Sequence, residues 1–142
     1  MKDTVRTITI GIDCNQIKRE IYAESACIAL MSPQSGRPEI LTGDHDKLIS
    51  AYIGNAITGF AAKFCAFIDG EKLNLEQEND ILQIPFIVPE SSKLPAEVIR
   101  RLAERIIATS VLAICYETRH ETAGILLDRC SEYKSRLLIA LK

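Results

Sequence analysis

The spacing of the apolar residues changes at Asp13, and this change constrains the fold more than any other feature. Ile8, Ile10 and Ile12 alternate with small or polar residues, which is the period of a strand with one buried face and predicts a strand at 4–12. Beyond Asp13, apolar residues recur every three to five positions, which predicts a helix at about 14–31. The chain therefore begins with a strand that leads directly into a helix.

A longer helical stripe covers residues 48–68 and predicts a second helix that ends at Asp69 and Gly70. Gly54 and Gly59 lie inside it, and each costs up to about 1 kcal/mol relative to alanine. We therefore expect another backbone to pack closely against this helix at the two glycines.

The last two helical stretches predict an αα-hairpin with a turn of about three residues. A third helix begins near Pro95, its stripe runs over residues 98–107, and residues 111–116 are apolar on nearly every side. Thr118 and Glu121 have the spacing of a capping box, after which helical spacing continues to the end of the sequence. The C-terminal half of the third helix should be central in the core.

Between the second and third helices, DILQIPFIVPE (80–90) is rich in β-branched and aromatic residues but contains two prolines, which favours an edge or bulged strand paired with the first. SPQSGRP (32–38) reads as a loop, and 71–80 as a polar surface connection. The predicted fold is α+β, mainly α, with four helices and a small antiparallel two-strand element. A single domain should span residues 1–142.

Composition excludes several classes of function. Seventeen basic and nineteen acidic side chains give a net charge of −2, so no global field attracts nucleic acid or anionic lipid. The longest nearly apolar run, 106–116, is shorter than the roughly 20 residues of a membrane span. The N-terminus lacks a secretory apolar stretch, and the five dispersed cysteines include no CxxC. We expect a reducing, cytoplasmic location.

Asp13 ends a first strand, where actin-like ATPases and related nucleases place a catalytic carboxylate. In those ATPases small residues follow and let a phosphate approach, whereas Cys14, Asn15 and Gln16 follow here. Asp13 and Gln16 instead have the spacing of a capping box. We interpret Asp13 as the cap of the first helix.

Two histidine-containing motifs also lack the spacing of a site. GDHD (43–46) offers Asp44, His45 and Asp46, but consecutive helical residues point in different directions, and Thr42 or Asp44 can cap the second helix. HETAG (120–124) begins like the zinc motif HExxH but has Gly124 in place of the second histidine. His45 and His120 are interpreted as surface residues.

The arginine-rich segment EVIRRLAER (97–105) has an i,i+4 pattern that pairs Glu97 with Arg101 and Arg100 with Glu104. We therefore expect a solvated helix face rather than a phosphate-binding one, and nucleic acid is disfavoured as a partner. No GxGxxG or P-loop motif occurs. The sequence predicts no catalytic, cofactor-binding or metal-binding residue.

IKREIYAESA (17–26), with residues 44–68 and the terminal helix pair, resembles small proteins encoded in prophage-type structural gene clusters, including head-tail connector-like proteins. The resemblance implies a virion or tail-assembly component that acts by self-association and by docking to neighbouring subunits. The matching residues are Glu20, Ile21, Tyr22, Ser25, Ala26, Asp44, Asp46 and Leu48.

The resulting hypothesis is a non-enzymatic, phage-like structural protein, without a cofactor or small-molecule substrate, that associates with itself and with other structural proteins. Two alternatives stay open. A small intracellular enzyme would bring Asp13, Asp44, His45, Asp46 or His120 together in a concavity. A regulatory binding module would align the arginines of the third helix on one exposed face without their acidic partners.

Overall fold

The computed structural model describes residues 4–32, 38, 40–75 and 80–142. Within them, four helices surround a two-stranded antiparallel ribbon, so the predicted α+β, mainly α, fold class is confirmed. Parts of the predicted loop at 32–38 and of the connection at 71–80 lie outside the described residues. The elements are β1 (Val5–Asp13), α1 (Cys14–Met31), α2 (Asp46–Lys63), β2 (Ile81–Pro89), α3 (Ala96–Cys115) and α4 (His120–Leu141).

β1 and β2 pair in continuous register from Val5 opposite Pro89 to Asp13 opposite Ile81. The predicted pairing of the two strands is confirmed, and no bulge interrupts it. Pro85 is tolerated because its carbonyl points away from β1 and accepts a hydrogen bond from the N–H of Asp69 at 2.9 Å. Its missing N–H therefore costs no bond to β1. The inner face of the ribbon consists of Ile8, Ile10, Ile12, Leu82, Ile84, Phe86 and Val88, all buried.

α3 is the central helix, as predicted, and packs against β1, α1, α2 and α4. Its buried residues run along most of its length, whereas Val98, which was expected in the stripe, is exposed. Burial of each large aliphatic side chain stabilises the fold by about 1.5–3 kcal/mol. Aliphatic packing around α3 is therefore the main source of stability.

One buried polar contact joins α1 to the end of α3. The hydroxyl of Ser25 is fully buried, lies 2.6 Å from that of Tyr116, and accepts a hydrogen bond from the N–H of Leu41 at 2.7 Å. Because the Ser25 hydroxyl is fully buried, water cannot easily replace either of these bonds. This contact fixes the chain ahead of α2.

The predicted end of the second helix is wrong. α2 ends at Lys63, and the chain then forms a 3-10 turn over Cys65–Phe67 so that Ile68 forms a bridge with Phe86 of β2. Apolar residues continue at helical spacing past the end of the helix because they pack at the edge of the ribbon. Pairing over a long sequence separation thus overrides the local pattern.

The expected close packing at Gly54 and Gly59 is also wrong, since a Cβ at either position would meet no atom within 4 Å. The capping box predicted at Thr118 and Glu121 is wrong as well. α4 begins at His120, its N-cap is Arg119, and no side chain caps it. Thr118 lies one residue too early, in the turn of the hairpin.

Candidate functional site

The structure brings Asp13 together with the arginines of α3, which lie about 90 residues away in the sequence. We call this concavity, of about 270 Å³, the charged cleft. α1 supplies its first wall and α3 the second. The cleft is lined by Asp13, Gln16, Glu20, Arg100, Arg101, Glu104 and Arg105.

Asp13 is the N-cap of α1, so that interpretation is confirmed. Its carboxylate accepts hydrogen bonds from the N–H groups of Asn15 at 3.0 Å and Gln16 at 3.2 Å. The reciprocal half of the predicted capping box is wrong. The amide oxygen of Gln16 accepts hydrogen bonds from Arg19, and the N–H of Asp13 donates to the carboxylate of Glu104 at 3.2 Å.

Glu104 is not on a solvated face, contrary to expectation, because only 3% of the residue is exposed. The predicted pair with Arg100 is present at 2.9 Å, but Glu97 also pairs with Arg100 and not with Arg101. Burial raises the pKa of Glu104, and the N–H of Asp13 and the Arg100 guanidinium offset part of this effect. Glu104 therefore joins the end of β1 to α3.

Two kinds of polar group in the charged cleft lack a partner among the described residues. One oxygen of Glu20, Oε2, is buried without a hydrogen-bond partner. Arg101 and Arg105 are exposed and form no ion pair with any residue that the structure describes. The lining includes no imidazole, thiol or hydroxyl group. The cleft can hold charge and hydrogen-bond a small polar group, but it presents no Ser, Cys or His nucleophile.

The GDHD segment forms a short 3-10 turn, Gly43–His45, directly before α2, whose N-cap is His45 and provides no side-chain cap. The prediction that Thr42 or Asp44 caps the second helix is therefore wrong, because Thr42 caps the 3-10 turn instead. The hydroxyl of Thr42 accepts a hydrogen bond from the N–H of Asp44 at 3.3 Å, and Nδ1 of His45 accepts one from the N–H of Thr42 at 3.0 Å. Asp46 instead reaches α1, where it pairs with Lys18 at 3.1 Å. These groups lie apart from the charged cleft and from His120, so the constellation considered for an enzyme is not assembled.

A second concavity, of about 530 Å³, lies between α3 and α4, and we call it the hairpin groove. Its floor is made of small or buried residues, including Ala113, Ala123 and Cys130. Leu127 and Ile114 line it as exposed apolar side chains. The groove is therefore an apolar surface, with His120 near its beginning on α4.

The outer edge of β1 is also open. Along β1, the even-numbered residues form the backbone hydrogen bonds with β2, as the bonds at Thr4 and Cys14 on either side of the strand show. The odd-numbered residues Val5, Thr7, Thr9 and Gly11 therefore direct their N–H groups away from β2. Among the described residues, none of these N–H groups has a partner. The next outward N–H, that of Asp13, is covered by Glu104.

The sequence did not reveal the roles of Glu20 and Glu104 in the cleft, or of Gly124 and Leu127 in the groove. The one available signal was the Arg100–Glu104 spacing, which predicts a pair but not its burial. Both concavities form between segments that are distant in sequence or on opposite sides of a turn. Their positions follow from tertiary packing.

Comparisons with known protein families, with curated proteins and with solved structures found no match to this chain. In the ranges that the structure describes, no three or more His, Cys, Asp or Glu side chains are grouped so that they could hold a metal ion. None of the described helices combines the length and apolarity needed to cross a bilayer.

Proposed function

We propose that this protein is a non-enzymatic structural or assembly subunit that acts by self-association and by docking to neighbouring subunits. The observation that carries the proposal is the uneven covering of α4. Its buried stripe packs on α3, while Ile125, Leu127 and Ile139 are 52%, 56% and 75% exposed. Leu127 lines the hairpin groove, whereas Ile125 lines a separate concavity between α1 and α4. Apolar side chains at such exposure are typical of protein interaction surfaces.

The open edge of β1 gives the proposal a second, weaker support. An unpaired row of N–H and C=O groups can accept a strand from another chain. The resemblance to prophage-type structural proteins suggests the setting, a virion or tail assembly, with the subunit made in the cytoplasm. In that setting the function is geometric, because the subunit contributes shape and contact surfaces.

Sedimentation equilibrium at several protein concentrations tests the proposal. We expect an average mass above that of the 15.8 kDa chain, rising with concentration. A mass equal to one chain over the whole range, up to millimolar protein, would contradict self-association. Flanking capsid, portal or tail genes would support the phage setting, and their absence would contradict that part alone.

The charged cleft favours a second candidate function, binding of a small charged molecule. Its buried Glu20 oxygen would accept a hydrogen bond from an ammonium group, and Arg101 or Arg105 would pair with a carboxylate. A free amino acid carries both groups. Thermal unfolding with each common amino acid at millimolar concentration tests this candidate. A stabilisation that is lost in Arg101→Gln and Arg105→Gln supports it, and no stabilisation by any of them contradicts it.

A further inference from the structure

We propose that the hairpin groove receives α4 of a second copy of this chain, in an antiparallel arrangement about a twofold axis midway between Gly124 and Leu127. This inference rests on the proposed self-association and names its surface and partner. A twofold contact uses the same patch on both subunits, so a protrusion on the patch must match a hollow on the same patch. The hairpin groove has both features.

The hollow is at Gly124. A Cβ added there would meet no atom within 4 Å, and the adjacent floor consists of the short side chains of Ala113 and Ala123. The protrusion is Leu127, about one helical turn further along α4 and 56% exposed. An axis between the two positions places each Leu127 over the Gly124 of the other copy. Both leucines then lose their contact with water.

The charges along the groove fit the same axis. Glu117 lies in the turn before α4, at one end of the hairpin groove, and Lys134 lies on α4 towards the other end. Exchange of the two ends therefore brings each Lys134 towards the Glu117 of the other copy. Neither side chain forms an ion pair with any part of its own chain that the structure describes.

A parallel arrangement would instead bring like charges together, Lys134 against Lys134 and Glu117 against Glu117. Like charges across an interface select against that orientation. Steric and electrostatic complementarity thus agree on one geometry, which singles out a second copy as the occupant. A partner with no relation to this chain would have no reason to match both the Gly124–Leu127 and Glu117–Lys134 spacings.

The steric part is tested with Gly124→Lys, which puts a long charged side chain into the hollow. Gly59→Lys on α2 is the matched control, because it is also a helical glycine whose Cβ would meet no atom within 4 Å. In sedimentation equilibrium, we expect Gly124→Lys to weaken dimerisation about tenfold or more, about 1.4 kcal/mol. Gly59→Lys should dimerise like the unmodified chain, and circular dichroism of both variants verifies that the fold is retained.

The electrostatic part is tested with Glu117→Lys and Lys134→Glu. Each variant alone should dimerise several-fold more weakly, since each loses two attractive pairs and gains two repulsive ones across the interface. An equimolar mixture of the two variants should form a heterodimer at least as tight as the original dimer, because every cross-contact is again of opposite charge. Higher salt should reduce these differences.

The outcomes separate this inference from the proposed function. If all variants, including Gly124→Lys, associate as tightly as the unmodified chain, self-association stands and the hairpin groove is not its surface. If the charge variants are both weakened but their mixture is not restored, the antiparallel pairing of Glu117 with Lys134 is wrong and the proposed twofold arrangement is overturned. A monomeric unmodified chain at every concentration overturns both proposals.

Discussion

The carboxylate of Glu104 gives the sharpest test of how the fold is held together. It is buried, accepts a hydrogen bond from the N–H of Asp13 at 3.2 Å, and pairs with Arg100 at 2.9 Å. Glu104→Ala removes the acceptor and leaves the N–H of Asp13 unsatisfied. A fully buried polar group without a partner costs about 1–3 kcal/mol, and because the N–H of Asp13 is only partly buried, we expect a loss of stability of about 1 kcal/mol.

Glu104→Gln provides the comparison that separates the hydrogen bond from the charge. Its amide oxygen can still accept from Asp13, and Arg100 keeps Glu97 as a partner. Since burial raises the pKa of Glu104, folding destabilises the ionised form relative to the protonated form. We therefore expect Glu104→Gln to be at least as stable as the unmodified chain at pH 7.

The pH dependence of this difference has a defined sign. The folded pKa lies above its ordinary value of 4.5, so the contribution of Glu104 to stability is fully present below pH 4.5 and declines as pH rises through the folded pKa. The advantage of Glu104→Gln should therefore shrink as the pH falls to 4. Urea unfolding followed by circular dichroism at several pH values measures this. If Gln costs as much as Ala at pH 7, the ion pair with Arg100 dominates and the reasoning is refuted.

Three further predictions concern the rest of the fold. Asp13→Ala should lower the free energy of unfolding by about 1 kcal/mol because it removes the helix cap, whereas Asp13→Asn should keep most of that stability. A urea titration in which the two variants lose the same stability would contradict the capping role. Ser25→Ala should cost about 1–3 kcal/mol by urea unfolding, because it removes the acceptor of the Leu41 N–H and one hydrogen-bond partner of Tyr116, and no loss would contradict that role. Burial raises the pKa of the Cys14 thiol, so iodoacetamide at pH 8 should label exposed Cys27 well before Cys14, as peptide mass spectrometry would show, and equal rates would contradict the burial of Cys14.

The sequence predicted best where a local rule and the tertiary structure agree. The boundary between β1 and α1 follows from the change of apolar period at Asp13 and from the side chain that caps the helix there. The pairing of β1 with β2 and the central position of α3 follow from the alternation of isoleucines and from the all-round apolar end of α3. In each case, local preference and burial require the same conformation.

Predictions failed where a distant contact decides the outcome. Glu104 reads as one member of a solvated i,i+4 pair, but its other partner is Asp13, which is 91 residues away. The apolar residues after Lys63 keep helical spacing, yet Ile68 bonds to the ribbon. Nothing in a single helical pattern specifies which of its polar residues another element will cover.

Neither of the two concavities could be located from the sequence, for the same reason. The charged cleft needs the end of β1 and the middle of α3 side by side. The hairpin groove depends on the small residues Gly124 and Ala123 facing Ala113 across the hairpin. Its apolar residues lie within ordinary amphipathic patterns, and only the packing of α4 shows that Leu127 stays uncovered.

Amide hydrogen exchange of the unmodified chain, compared between dilute and concentrated protein, tests the central claim most directly. We predict that a higher protein concentration slows exchange over residues 110–134, which contain the hairpin groove, and leaves exchange in the charged cleft unchanged. Slower exchange confined to Val5–Asp13 would place self-association at the β1 edge instead. Exchange that is independent of concentration throughout the chain would contradict the claim that this protein works by contacts between its own copies.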